Sequence, residues 1–244
     1  MYNSCYRYFN LGNILISNSY TEGEILVVDK PLKWTSFDVV NKIRYAIKDK
    51  FKLKKIKIGH AGTLDPLATG VVVICTGKKT KTINDFLIED KHYIGKIKLG
   101  ATTPSYDLET EIDAKFPIPD LNKTNLEELQ KKFTGELDQV PPIFSAKRIN
   151  GKRAYDYARA NEKLILPPNK IYIKKLELEL LSPDIIQFSC ICSKGTYIRS
   201  LARDIGESIN SGGFLMELRR IKSGNFSIDD AKTIDEWLDI IKSS

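Results

Sequence analysis

Period-two and period-3.6 patterns of apolar residues divide the chain into a mixed series of strands and helices. Residues 24–30, "EILVVDK", predict a strand. A helix is expected from Ser36, because Thr35 and Asp38 have capping-box spacing and Phe37, Val40, Ile43 and Ile47 make an apolar stripe. The continuous run "VVVICT" (71–76) predicts a buried strand, with a short helix over 80–88 after it. In "YIGKIKLG" (93–100) Ile97 and Leu99 face opposite to Lys96 and Lys98, as in a strand with one wet face. Thr124 with Glu127 predicts the start of a second helix, which ends near Gly135.

The segment 136–168 breaks the pattern. It combines a Pro-Pro pair, an Asn-Gly turn, two tyrosines and five Lys or Arg from Lys147 to Arg159, which suits a basic projecting element better than a core strand. Strands are expected again over 171–181 and 185–192, the second with Ile186, Phe188, Cys190 and Cys192 on one face. "SKGTYIRSLARDIG" (193–206) leads into a helix with Ile198, Leu201, Ala202, Ile205 and Ile209 as its buried stripe. "GGFLMELRRI" (212–221) reads as the final strand, with Phe214, Met216 and Leu218 sharing a face, and Thr233 with Glu236 caps a C-terminal helix.

Composition narrows the function classes. At 244 residues with 42% hydrophobic content the chain can bury a sizeable core, which excludes a disordered tail protein. The longest apolar run, "GVVVIC", is far short of a membrane span, no signal peptide is evident, and a cytoplasmic protein is expected. The four cysteines include no C-x-x-C pair and only His60 and His92 could join them, so neither a disulfide framework nor a metal site is indicated. The formal net charge is +7, and eight Lys or Arg stand between Lys42 and Lys57 against the single acid Asp49. Such a block is either a solvated face or a phosphate-backbone contact, and its place just before a glycine-rich loop favours the latter.

That loop, "KIGHAGTLDPLATG" (57–70), holds one carboxylate, Asp65. A phosphate-binding P-loop fails on spacing, because six residues separate Gly70 from Gly77 and Lys78-Lys79 follow. No G-x-S-x-G is present for a nucleophile elbow, and the loop has no second aspartate of the kind a phosphatase carries. Pro66 restricts Asp65 to extended backbone, while Gly59, Gly62 and Gly70 permit tight turns. Two readings stay open on these residues: an aspartate that begins a turn, or a rigid lone carboxylate for cofactor-free chemistry.

"GHAGTLDPLATGVV" resembles the signature of the bacterial tRNA pseudouridine(55) synthase family, of the TruB type. "DKPLKWTS", "KHYIGKIKLGATTPSYD", "QVPPIFSAKRINGKRAYDYAR", "CSKGTYIRSLARDIG" and "LRR" resemble further family motifs in the same order, so that the likeness covers about residues 24–225. It implies an α+β pseudouridine synthase fold: a mixed, largely antiparallel sheet flanked by helices and loops, with a basic thumb-like insertion over about 139–168. Residues 1–20 would be an extension and 21–244 the catalytic domain, without the usual C-terminal RNA-binding domain, since a single acidic helix follows Ser223.

The implied reaction isomerises the uridine at position 55 of the tRNA T-loop to pseudouridine, without cofactor or metal, on a nucleotide flipped out of the stack. Asp65 matches the family's catalytic aspartate, whether it attacks the sugar, attacks the ring or removes a sugar proton. By the same resemblance Tyr93 would stack on the uracil, Tyr197 would contact it, and Arg199 would pair with Asp65 and hold it as a carboxylate. Leu218 would close the pocket and His60 would fill the vacated stack. The partner is the T-arm of tRNA and the expected state a monomer. Lys33, where the family has glycine, and Pro104-Ser105, where T-D-T is common, are departures expected to touch RNA contacts and not the chemistry. An RNA-folding factor on the same fold is the alternative, although a pure binder has no need of the carboxylate.

Overall fold

The computed structural model describes residues 16–145, 147–149, 151–159 and 166–244. Nine strands form one sheet: β1 (Ile25–Lys30), β2 (Ile58–His60), β3 (Ala68–Thr76), β4 (Lys91–Leu99), β5 (Gly135–Gln139), β6 (Asn169–Ser182), β7 (Ile185–Cys192), β8 (Gly213–Ser223) and β9 (Phe226–Ser227). The order is β1-β3-β8-β4-β7-β6-β5, with β2 on β3 and β9 on β8. Every pairing is antiparallel except β3 with β8, where Leu218 lies opposite Ala68. The α+β class and the largely antiparallel sheet are therefore as expected.

Helices α1 (Ile16–Glu22), α2 (Ser36–Lys50), α3 (Ile83–Leu87), α4 (Lys123–Lys132), α5 (Ala154–Arg159), α6 (Ile198–Ser208) and α7 (Ile234–Ser243) flank the sheet. The main core joins α2, α4, α6 and α7 to the inward residues of β4, β6, β7 and β8. Helix α6 shows why the sequence folds this way: Ile198, Leu201, Ala202 and Ile205 recur at helical spacing and are buried, while Glu207 stays on the outer side. The capping boxes at Thr35/Asp38 and Thr233/Glu236 are both formed. No helix among the described residues is long and apolar enough to cross a membrane.

Five local expectations need correction. Phe37 is 60% exposed, and Val39 takes its place in the α2 stripe, one helical turn from Ile43 and Val40's neighbour. Helix α4 starts two residues earlier than Thr124/Glu127 spacing suggests, because Asn122 and Asn125 exchange side-chain to backbone hydrogen bonds and form the capping box there. A register shift between Leu215 and Glu217 resets the alternation of β8. Leu218 consequently joins Leu215 in the core, separate from Phe214 and Met216, and β9 follows β8 as a further strand. Tyr20 is buried against Phe51, with ring centroids 5.8 Å apart, so the folded unit begins ahead of the expected boundary at residue 20. Residues 136–139 of the expected projecting segment belong to an edge strand, and Ala154 of α5 is buried; residues 146, 150 and 160–165 of that segment, and 1–15 of the extension, lie outside the described residues.

Candidate active site

The glycine-rich loop between β2 and β3 is held from three sides. Leu64 donates its N–H to Ser36 Oγ at 2.8 Å, and Ser36 Oγ in turn reaches Leu64 O at 3.2 Å, which docks the start of α2 on the loop. The backbone N–H of Lys33 donates to Pro66 O at 2.8 Å. Lys30 is fully buried without a carboxylate partner, and its Nζ donates to Trp34 O, Pro31 O and Pro66 O at 2.6, 3.0 and 3.4 Å. Burial pulls its amine down to about 8, against the opposing charge of Asp65. From below, buried Arg220 donates to Val71 O at 2.7 Å and to Gly62 O at 3.1 Å. Gly70 makes this approach possible: its φ is +103°, and a Cβ there would sit 2.2 Å from Arg220 O.

The loop presents Asp65 to the first turn of α6. Arg199 Nη2 donates to Asp65 Oδ1 at 3.2 Å, while Arg199 Nε lies 2.9 Å from Oδ2, close enough for an ion pair although off the N–H axis. The guanidinium is buried at 4% exposure, yet Asp65 keeps 38% of its side chain open, so one edge of the carboxylate faces the cavity. Arg199 is fixed by further acceptors: Phe144 O at 2.9 Å, Ser105 O at 3.1 Å and, at 3.6 Å, Asp107 Oδ2. Asp107 is itself buried and receives Ser105 Oγ at 2.6 Å and the N–H of Glu109 at 2.9 Å. One cation thus stands between two carboxylates, a buried one that positions it and an accessible one that can react.

A cavity of about 270 Å³ brings Asp65, Tyr93, Tyr197, Arg199 and Leu218 together, with Ser145 and Lys91 in its wall. Burial raises the phenol of Tyr93, which Arg220 Nη1 approaches at 3.5 Å. Burial also raises Tyr197, partly offset by the Ser145 hydroxyl, so both phenols are protonated donors at neutral pH. Tyr197 is set at the start of α6 by a reciprocal amide clasp: its N–H donates to Gln139 Oε1 at 2.8 Å and its carbonyl accepts from Gln139 Nε2 at 3.1 Å. His60 does not line this cavity. It pairs with Ile74 across β2 and β3, its Nδ1 is buried without a well-formed hydrogen bond, and burial and Arg220 lower its pKa. A larger open groove of about 770 Å³ contains Leu218 and Arg219, with Lys96, Glu177, Glu179 and Glu217 in its wall, but none of Asp65, Tyr93, Tyr197 or Arg199; the smaller cavity is the candidate site because it alone of the two joins Asp65 to Arg199 and the two tyrosines.

Sequence reasoning missed Asp107, Gln139, Arg220 and Lys30 as supports of this site. Each lies inside a quoted motif, but no local pattern says that a residue so far along the chain will reach Arg199, Tyr197 or the loop. The two departures also sit closer to the chemistry than expected: Lys33 touches the catalytic loop and Ser105 touches Arg199. Lys33 has a φ of +66°, the left-handed region that glycine enters freely. No group of three or more metal-ligating side chains occurs among the described residues.

Comparison with known proteins gives the family of the chain. Residues 48–198 match the model of the TruB family pseudouridylate synthase N-terminal domain, and residues 199–243 that of the tRNA pseudouridylate synthase B C-terminal domain. The chain is 52% identical over 224 residues to tRNA pseudouridine synthase B of Phocaeicola vulgatus, covering 91% of this chain and 95% of the relative. It is 52% identical over 213 residues to the protein of the same name from Flavobacterium johnsoniae, covering 87% and 93%. A chain in the crystal structure of a Cbf5-Nop10-Gar1 complex superposes with a TM-score of 0.68 at 27% identity, over 92% of this chain and 56% of that one. The family model covers most of the chain and the sequence relatives match nearly all of it, and the chain belongs to the TruB family of pseudouridylate synthases.

Proposed function

We propose that the protein isomerises the uridine at position 55, in the T-loop of tRNA, to pseudouridine. The observation that carries this reading is a single half-exposed carboxylate, Asp65, clamped by Arg199 in a cavity walled by two protonated tyrosines and Leu218. The reaction breaks the bond from ribose C1′ to N1 and joins C1′ to C5; C5 loses its proton and N1 gains one, so the change is an isomerisation and no redox cofactor is required. The nucleotide must leave the stack to reach Asp65, which costs a few kcal/mol. Stacking of the freed uracil on Tyr93 returns about 1 to 3 kcal/mol. Tyr197 faces the base as a neutral hydrogen-bond donor and Leu218 excludes water, while His60 lies outside the cavity wall. Arg199 and Asp107 are positioning groups: they fix the direction of the carboxylate before substrate arrives.

The relatives carry the name tRNA pseudouridine synthase B, which supports tRNA as the substrate. Tritium release from tRNA labelled at uracil C5 tests the proposal. Release from wild-type tRNA, lost when uridine 55 is replaced by cytidine, is the expected result. Undiminished release from the substituted tRNA would contradict the site, and no release from either would favour the RNA-folding alternative.

A further inference from the structure

Two lysine runs that lie apart in sequence meet in the fold, away from the catalytic cavity. The first is the loop 51–57 between α2 and β2, with Lys54, Lys55 and Lys57 exposed. The second is the 3-10 helix Gly77–Thr82, with Lys78, Lys79 and Lys81 exposed. A hydrogen bond from the Gly77 N–H to Lys57 O at 2.8 Å ties one to the other, and β2 pairs with β3 beside it. Two acids at this edge are already engaged, Asp49 with Lys52 at 3.2 Å and Glu22 with Lys78 at 2.6 Å, while exposed Glu24 and Asp85 border the patch without reaching its other lysines. Among the described residues no carboxylate lies within ion-pair distance of Lys54, Lys55, Lys57, Lys79 or Lys81.

The patch is continuous with the site. The 3-10 helix runs directly into α3, whose Leu87 lines the catalytic cavity with Lys91. From Leu87 back to Gly77 this path covers roughly 20 Å at the rises of the two helix types. A nucleotide bound at Asp65 therefore leaves the lysines facing phosphates that lie well beyond it along the RNA. Five exposed ammonium groups without counter-charges repel one another, and a polyanion relieves that repulsion.

We infer that Lys54, Lys55 and Lys57, with the neighbouring 3-10 helix, form a second RNA-docking surface that holds the sugar–phosphate backbone of tRNA outside the T-arm. The inference rests on the tRNA reading of the active site, and it assigns to this edge the grip on the body of the molecule. It also gives the basic block between Lys42 and Lys57 a place: its far end serves the body of the tRNA, while Arg44, near its start on α2, donates to Ile58 O of β2 at 3.2 Å.

The test compares the wild-type protein with K54E/K55E/K57E, and with K123E/K131E/K132E on α4 as a control of equal charge change. Affinity and tritium release are measured for full-length tRNA and for an isolated T-arm hairpin at several salt concentrations. The docking surface predicts at least a tenfold loss of affinity of the first variant for full-length tRNA and a salt slope reduced by about 2 to 3. It also predicts hairpin affinity and release unchanged, and the control within about twofold of wild type throughout. Equal losses on tRNA and hairpin, equal losses in the control, or no loss at all would each overturn it. Absence of release from both RNAs with wild type would instead refute the isomerase reading, while the binding comparison still decides the docking surface.

Discussion

Two short loops flank β2 and cations define both, yet they are built in opposite ways. The catalytic loop 61–67 meets Lys30 and Arg220, cations that are buried and spend their donors on backbone carbonyls. The loop 51–57 carries Lys54, Lys55 and Lys57, which are exposed and have no acid beside them. A buried cation replaces its hydration with protein oxygens and so fixes the backbone around it. An exposed one keeps its hydration and remains available to phosphate. The difference teaches that charge in this chain has two uses, and that burial, not residue type, separates them.

Changes at the buried cations should have the larger effects. Short of removing the carboxylate itself, Arg199→Lys is the most severe. A lysine carries one compact charge and cannot bridge Asp65, Asp107, Ser105 O and Phe144 O together. We expect turnover to fall about 100-fold with tRNA affinity nearly unchanged, since misplacement of a reacting group by about 1 Å is sufficient for that loss. Single-turnover release and filter binding check the two halves of this expectation separately.

Lys30→Met should reduce stability by about 1 to 3 kcal/mol, because Trp34 O, Pro31 O and Pro66 O lose a buried donor. It should also change the pH dependence. In the folded protein Lys30 releases its proton near pH 8, whereas the unfolded chain holds it to about 10.4. Unfolding between these values takes up a proton, so wild-type stability gains with rising pH by at most about 1.4 kcal/mol per unit relative to the variant. Denaturant titrations of both proteins at pH 7.5 and 10 would show it; a difference that shrinks with pH would count against the buried amine.

The smallest effect is expected at Lys33. Glycine at this position relieves the left-handed backbone but makes the unfolded chain more flexible, leaving a net gain of about 0.5 kcal/mol for Lys33→Gly. Thermal unfolding measures it, and a destabilised variant would mean that the Lys33 side chain contributes more than its backbone strain removes.

Much of this architecture could be read from local pattern. The α6 stripe, the caps of α2 and α7, the buried β3 and the wet-faced β4 depend on neighbours within a few residues, and they formed where local pattern put them, Phe37 of the α2 stripe excepted. Asp65, Tyr93, Tyr197, Arg199 and Leu218 share one cavity as the family resemblance implied. The failures are mostly non-local. The shift at Met216 that turns Leu218 toward the core is set by pairing with β4, and α4 begins at Asn122 because an Asn pair caps as well as Thr with Glu. Asp107 finds Arg199 across 92 positions of sequence, and Gln139 finds Tyr197 across 58. No spacing rule reaches that far.

The most direct test of the account is tritium release from C5-labelled tRNA by wild type and Asp65→Asn, with binding measured on the same preparations. The substitution keeps the shape of the side chain and removes its charge. The account predicts release by wild type, none above background by the variant, and tRNA affinities within about tenfold of each other. Appreciable release by Asp65→Asn would place the chemistry on another group and contradict the central role given to the carboxylate that Arg199 holds.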